Sequence, residues 1–403
     1  MTQSVLIIGA GFAGMWAALS AARARDLADQ NNGSIDITVV APEPYLHIRP
    51  RLYEPDAASM KAPLSDLFAA AGIRFLQGTV AAIDTGMGTV LTRDDKGAAS
   101  TLGYDRLVLA SGSRLFRPPV PGLDQFAFSV DQTDEAAALD AHLRALAARP
   151  ASASRNTLVV AGGGFTGIEL VAEMPARLRG FLGAEAAIRA IVVEQADAIG
   201  PDLGPGPRPL IDIALDAAGV ERRLGAAVTE IGRDFVTLSS GETIAAETVV
   251  WTAGARAQAL TAQVPGQRDR LGRLHVDRDL RVPQAPNIFA AGDVAHAATD
   301  DLGNVAVMSC QHAMALGRSA GHNAVQDLLG LPLRPYAQVK YVTCLDLGPW
   351  GAVYTEGWER TVTLTGKEAK DLKRQINSLW IYPPAADRAA IMEAADPARL
   401  VVA

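Results

Sequence analysis

The sequence predicts an α/β chain in which one parallel-sheet unit is built twice, followed by a smaller α+β region. Three observations carry this. A buried apolar strand, Val5-Leu6-Ile7-Ile8, runs into the glycine turn Gly9-Ala10-Gly11-Phe12-Ala13-Gly14 and then into a small-residue helix. The same order returns at residues 157–170, where an apolar strand meets Gly162-Gly163-Gly164-Phe165-Thr166-Gly167. Both units also end alike, with an apolar strand, small residues and a glycine, once over residues 104–112 and again over 248–254. Strands that read as continuous apolar runs belong to parallel sheets covered by helices on both faces.

The elements follow in order. After the first helix, polar residues 29–34 lead to a second strand at 35–40, which completes a strand–helix–strand unit. Residues 42–54, rich in proline and aromatics, read as irregular. Residues 73–109 alternate like antiparallel strands at 73–77, 79–84 and 89–92, and a buried strand at 104–110 ends in Ser111-Gly112-Ser113. The stiff connector Arg117-Pro118-Pro119-Val120-Pro121-Gly122 marks a domain boundary. A helix over 134–148 precedes the second unit, whose second strand is Ile191-Val192-Val193-Glu194, and a further helix covers 311–329. The implied domains are 1–116 with 272–330, an inserted domain at 117–271, and a C-terminal region at 331–403.

Composition narrows the function. The 403 residues, 49% hydrophobic, suffice for two or three cores. A net charge of −7 with no basic stripe argues against a nucleic-acid surface. Cys310 and Cys344 are the only cysteines, which excludes a secreted disulfide scaffold and points to a reduced, cytoplasmic setting. The N-terminal apolar run has no basic region before it and ends in turn glycines, so it reads as a strand and not a signal peptide. No uncharged apolar stretch reaches the roughly 20 residues of a spanning helix. The expectation is a soluble protein, or one peripheral on the inner face of a membrane.

A glycine turn between a strand and a helix lets backbone N–H groups face a pyrophosphate. One Gly-x-Gly-x-x-Gly is weak evidence; two, each in strand and helix context, point to two dinucleotide sites. Gly9, Gly11 and Gly14 belong to the first, with Ser111 and Gly112. Gly162, Gly164 and Gly167 belong to the second, with Gly254. In such units an acidic residue at the end of the second strand holds the ribose hydroxyls. Counting 32 residues from Gly162 gives Glu194, and the same count from Gly9 gives Ala41. Glu194, followed by Gln195, would repel a 2′-phosphate and favours NADH over NADPH; its bland reading is a solvated strand-end carboxylate. Glu43 is the remaining acidic candidate at the first site. In Asn287-Ile288-Phe289-Ala290-Ala291-Gly292-Asp293, a short apolar strand delivers a glycine and an aspartate suited to accept hydrogen bonds from a polyol such as a flavin ribityl chain.

Together these residues resemble the two-dinucleotide-domain flavoproteins of the pyridine nucleotide-disulfide reductase type, over roughly residues 5–330. The resemblance implies two Rossmann-like domains, FAD at the first motif, NADH at the second, and Asp293 on the ribityl. The Cys-x4-Cys pair of the disulfide reductases has no counterpart, so the electrons are expected to leave the flavin directly. A narrower resemblance is to type II NADH dehydrogenases, which pass electrons to quinones. It rests on Tyr45 with Pro50-Arg51-Leu52-Tyr53-Glu54, on Gly162 to Gly164 with Thr166, Gly167, Glu169 and Leu170, and on Cys310-Gln311-His312-Ala313, where that family has Ala-Gln-x-Ala. It implies Glu169 near the nicotinamide and flavin, Gln311 at the acceptor end, and a quinone-like acceptor. His312 has two readings, proton donor to a reduced quinone or packed histidine, and Cys310 has two, reactive thiol or buried small residue. Ferredoxin-reductase-like and apoptosis-inducing-factor-like activities remain alternatives. The other histidines show no metal-ligand spacing, so no metal is expected. In residues 367–380, Leu372, Ile376, Leu379 and Trp380 share a helical face, with Lys367, Lys370, Lys373 and Arg374 elsewhere. That face either packs on its own domain or meets a membrane surface, and a homodimer stays open.

Overall fold

A computed structural model describes residues 2–28 and 35–400. The polar segment 29–34 lies outside the described residues. Two parallel sheets dominate. The first has the order Arg281–Val282, Ala285–Ala290, Arg106–Leu109, Gln3–Ile8, Ile35–Ala41 and Arg74–Gln77. The second has the order Ala127–Phe128, Thr248–Trp251, Thr157–Ala161, Arg189–Glu194 and Val220–Leu224. In each, the strand before the glycine turn lies between the strand that follows its helix and the apolar strand that closes the unit. The register Val5↔Ile37 and Ile7↔Val39 in the first sheet has its counterpart in Val159↔Ile191 and Ala161↔Val193 in the second. The repeated α/β architecture read from the sequence is the one found.

The apolar runs explain these strands. Val5, Ile7, Val39, Val108, Val160 and Val250 are fully buried, and a buried side chain of this kind is worth about 1.5–3 kcal/mol. The helix Phe12–Leu27 is covered on nearly all sides, because Cys310–Leu328 lies against it. Gly317 and Gly321 make that approach possible: a Cβ on them would stand 2.3 Å from Ala13 O and 1.9 Å from Ala17 O. The seam therefore brings the start of Cys310–Leu328 beside the first glycine turn.

Two three-stranded antiparallel meanders hang from the sheets, Thr79–Asp84 with Thr89–Arg93 and Ala99–Gly103, and Val228–Ile231 with Phe235–Leu238 and Thr243–Ala245. Ser113–Leu115 pairs antiparallel with Ala255–Ala257, so the two chain crossings between the sheets run side by side. Residues 42–54 are less irregular than their composition suggests, since Tyr45–His47 pairs with Lys61–Pro63. The C-terminal region is a sheet of Val342–Asp346, Ala352–Glu356 and Thr361–Thr365 under the helix Gly366–Gln375, which continues as a wider turn at Ile376–Trp380.

This last helix corrects one expectation. The amphipathic reading put the lysines away from the packed face, yet Lys373 is buried and Lys370 half-buried, while Leu379 and Trp380 are exposed. Acidic partners inside the molecule, described below, draw the lysines inward. No described helix is long and apolar enough to cross a membrane.

Candidate active site

The two glycine turns are built alike. Gly9 has φ +108° and donates to Val40 O at 2.8 Å; Gly162 has φ +116° and donates to Val193 O at 2.8 Å. A Cβ on Gly14 would sit 1.9 Å from Gly9 O, and one on Gly167 would sit 1.8 Å from Gly162 O. The middle glycines differ from these in having open space: nothing lies within 4 Å of a Cβ built on Gly11 or Gly164. Both cap their helices without a side-chain hydrogen bond. An uncapped helix start facing free space offers N–H donors and a positive dipole end to an anion. Gly112 is also open, Ser111 Oγ is buried without a partner, and Gly254 has φ +86° beside Phe116. These residues fit a dinucleotide laid across each turn.

The ribose ends are unlike. Glu194 takes the Gly163 N–H at 2.7 Å on one oxygen and the Ala196 N–H at 2.9 Å on the other, so its carboxylate is fixed at the strand end. Ala41 occupies the matching place in the first unit and is buried. Glu43 is drawn to His47 Nε2 at 3.0 Å, and His47 Nδ1 meets Thr133 Oγ1 at 2.6 Å. Asp293 accepts from Ser113 Oγ at 2.6 Å and lies 3.7 Å from Arg49 Nη1. Arg49, which also pairs with Asp131, was not singled out in the sequence. Its place directly before the Pro-x-Leu-Tyr-Glu stretch was the available signal.

Glu169, on the helix after the second turn, is buried, and its Oε1 takes both Lys373 Nζ at 2.7 Å and the Asp346 N–H at 3.0 Å. Burial pushes its carboxyl up to about 7, against the opposing pull of Lys373. Lys373 is desolvated too, yet Glu169 and its acidic neighbours hold its ammonium above the usual lysine value. Asp346 is held in turn by the Tyr53 hydroxyl at 3.0 Å and by Lys370, which also reaches Glu173 at 2.9 Å. Lys373 and Asp346 are thus partners of Glu169, with Tyr53 and Lys370 bonded to Asp346 behind them; pattern reading missed the group, because it comes from three distant segments.

The family described as pyridine nucleotide-disulphide oxidoreductase matches residues 3–317. The chain belongs to this family. It is 46% identical to an NADH dehydrogenase-like protein of Mycobacterium tuberculosis, over 98% of both chains. It is 29% identical to a demethylphylloquinone reductase of Synechocystis, over 94% of this chain and 92% of that one. Its fold is shared with NDH2 of Plasmodium falciparum, solved in complex with NADH, at a TM-score of 0.77–0.78, with 14% identity and coverage of 98% and 97%. The chain is an NADH dehydrogenase-like member of the family.

In this oxidoreductase the start of the helix Cys310–Leu328 is capped by Ser309, whose Oγ accepts the His312 N–H at 3.3 Å and lies 2.9 Å from His312 Nδ1. His312 is fully buried, and desolvation, with Arg360 and Arg273 nearby, lowers its pKa to about 4. The imidazolium needed for the proton-donor reading is therefore not populated near neutrality, and the packed reading fits. Gln311 Oε1 is buried without a partner. Burial raises the Cys310 thiol to about 11 and Cys344 to about 12, and Cys344 Sγ donates to Ala369 O at 3.5 Å. Both are free thiols, Cys310 half-buried and Cys344 buried, and desolvation opposes a thiolate at Cys310 where the helix end would favour one. Among the described residues no group of three or more His, Cys, Asp or Glu side chains is arranged to hold a metal.

Proposed function

We propose that this chain binds FAD at the turn Gly9 to Gly14 and NADH at the turn Gly162 to Gly167, and reduces a quinone-like acceptor beside Gln311. The observation that carries the reading is the pair of open, uncapped glycine turns in one chain. FAD, when bound, supplies hydride acceptance and passes the electrons on. Gly11, Gly112 and Asp293 would hold it. Gly164 and Glu194 would orient NADH, and the fixed Glu194 carboxylate disfavours a 2′-phosphate. With both cysteines free and held protonated by burial, no dithiol relay takes part. The Synechocystis relative is named for reduction of a quinone, which supports that class of acceptor.

Quinone reduction consumes protons as well as electrons, and Glu169 is suited to hold one. Its Oε1 is taken by Lys373 and the Asp346 N–H, so the proton of the neutral acid sits on Oε2. A group poised near 7 is half protonated at neutral pH. It loses that proton as pH rises through about 7, so the acceptor step slows on the alkaline side. In Glu169→Gln, rapid mixing should show flavin bleaching by NADH within a few-fold of wild type. Reoxidation by a short-chain quinone should fall about a hundredfold, with its alkaline decline abolished. A colourless protein, or a variant reoxidised at the wild-type rate, would overturn the scheme.

A further inference from the structure

One buried cation has no paired carboxylate among the described residues. Arg360 is 9% exposed, and its guanidinium lies 4.2 Å from the Tyr341 ring centroid. Its Nη1 has no hydrogen-bond partner, and no carboxylate pairs with it among the described residues. Asp202, from the neighbouring loop, acts on Tyr341 without pairing with Arg360. A desolvated charge costs several kcal/mol unless something compensates it. Two further buried polar atoms without partners stand in the same cluster, Trp358 Nε1 and His312 Nε2. The rings are in mutual contact, with centroids 4.5 Å apart for Tyr341 and Trp358, 5.0 Å for His312 and Tyr341, and 6.0 Å for His312 and Trp358.

The backbone holds Arg360 in place at a cost. Its φ of +57° lies in the left-handed region, which crowds the Cβ of an L residue against its own backbone. Gly206 backs onto it so closely that a Cβ there would meet Arg360 O at 2.8 Å. Strain kept at a buried, unpaired charge points to a ligand. The cluster adjoins the acceptor end: the His312 ring that packs on Tyr341 belongs to the residue after Gln311. His312 is neutral in part because Arg360 and Arg273 face it, so the local field is positive.

We propose that Arg360 and the Trp358 indole N–H form an oxyanion receptor, so that the chain selects an aromatic acceptor bearing an ionised oxygen on its ring. This rests on the acceptor position proposed above. The Tyr341 and Trp358 rings supply the flat walls, and the two N–H donors supply charge-assisted hydrogen bonds. An uncharged acceptor of the same shape leaves the guanidinium unpaired.

The test is equilibrium titration of the oxidised holoenzyme with a hydroxynaphthoquinone that is ionised at neutral pH and with its uncharged methyl ether, followed by tryptophan fluorescence. The wild type should bind the ionised compound at least tenfold more tightly. Arg360→Gln should reduce that ratio to about one, and Trp358→Phe, which keeps a ring, should reduce it about threefold; the flavin spectrum reports that each variant is folded. Should Arg360→Gln fail to fold, Trp358→Phe decides. Equal binding of the two compounds by the wild type, or a ratio unchanged in the folded variants, overturns the receptor. If neither quinone reoxidises the NADH-reduced enzyme, the acceptor assignment itself fails; if both do so and bind equally, only the receptor fails.

Discussion

Trp16 and Glu169 stand at the same place in the two units, seven residues beyond the first glycine of each turn. Each meets a buried cation from a later helix. Arg318 lies 3.8 Å over the Trp16 ring, and Lys373 lies 2.7 Å from Glu169. A ring cannot titrate, and Arg318, lowered by burial to about 10, stays charged at neutral pH. The carboxyl partner in the second unit titrates near 7. The strand ends diverge in the same sense, with Ala41 in one unit and Glu194 in the other. The duplicated backbone builds the same open glycine turn twice. What distinguishes the two units is a few side chains on that shared frame.

The largest effects should come from closing either turn. Gly14→Val places side-chain carbon against Gly9 O, and Gly167→Val does the same against Gly162 O. The backbone clash is equal, so the comparison isolates the ligand. Gly14→Val should yield protein without flavin absorbance. Gly167→Val should stay yellow and lose bleaching by NADH at millimolar concentration. Loss of flavin from both, with thermal melts like wild type, would contradict the assignment of the two turns.

The frame was legible because glycine at a forced backbone position leaves a sequence mark. Gly9, Gly14, Gly162 and Gly167 are needed where a Cβ would strike a carbonyl, and the apolar runs beside them mark buried strands. The partners of Glu169 left no such mark. Lys373 looked like a solvent-facing lysine, since periodicity registers apolar residues and a buried ion pair reads as polar surface. Asp346 meets Glu169, and Tyr53 and Lys370 meet Asp346, only through tertiary packing. His312 and Cys310 were ambiguous for a related reason: their protonation depends on burial, which a motif does not encode.

A smaller effect should follow at the ribose end. Glu194→Arg with Gln195→Arg replaces a fixed carboxylate with two groups able to pair a 2′-phosphate. The ratio of kcat/KM for NADPH over NADH should rise by about a hundredfold, with flavin content unchanged. An unchanged ratio would mean that Glu194 acts only as a backbone clamp on Gly163 and Ala196. The first unit offers no parallel switch, because Ala41 has nothing to exchange.

The smallest effect separates the two buried cations. Trp16→Phe keeps a ring under Arg318, and a desolvated cation–π contact is worth roughly 1–2 kcal/mol, so this change should cost about 1 kcal/mol in a urea melt. Trp16→Leu removes the ring and leaves the guanidinium, bonded to Ala394 O through Nε, without its main compensation, so it should cost about 3 kcal/mol. Neither should alter the rate of flavin bleaching by NADH, because this pair lies between Phe12–Leu27 and Cys310–Leu328 and holds no exchangeable proton near neutrality. Equal costs for Phe and Leu would show that Trp16 only fills volume there. A slowed bleaching rate would show instead that both copies of this position serve the chemistry.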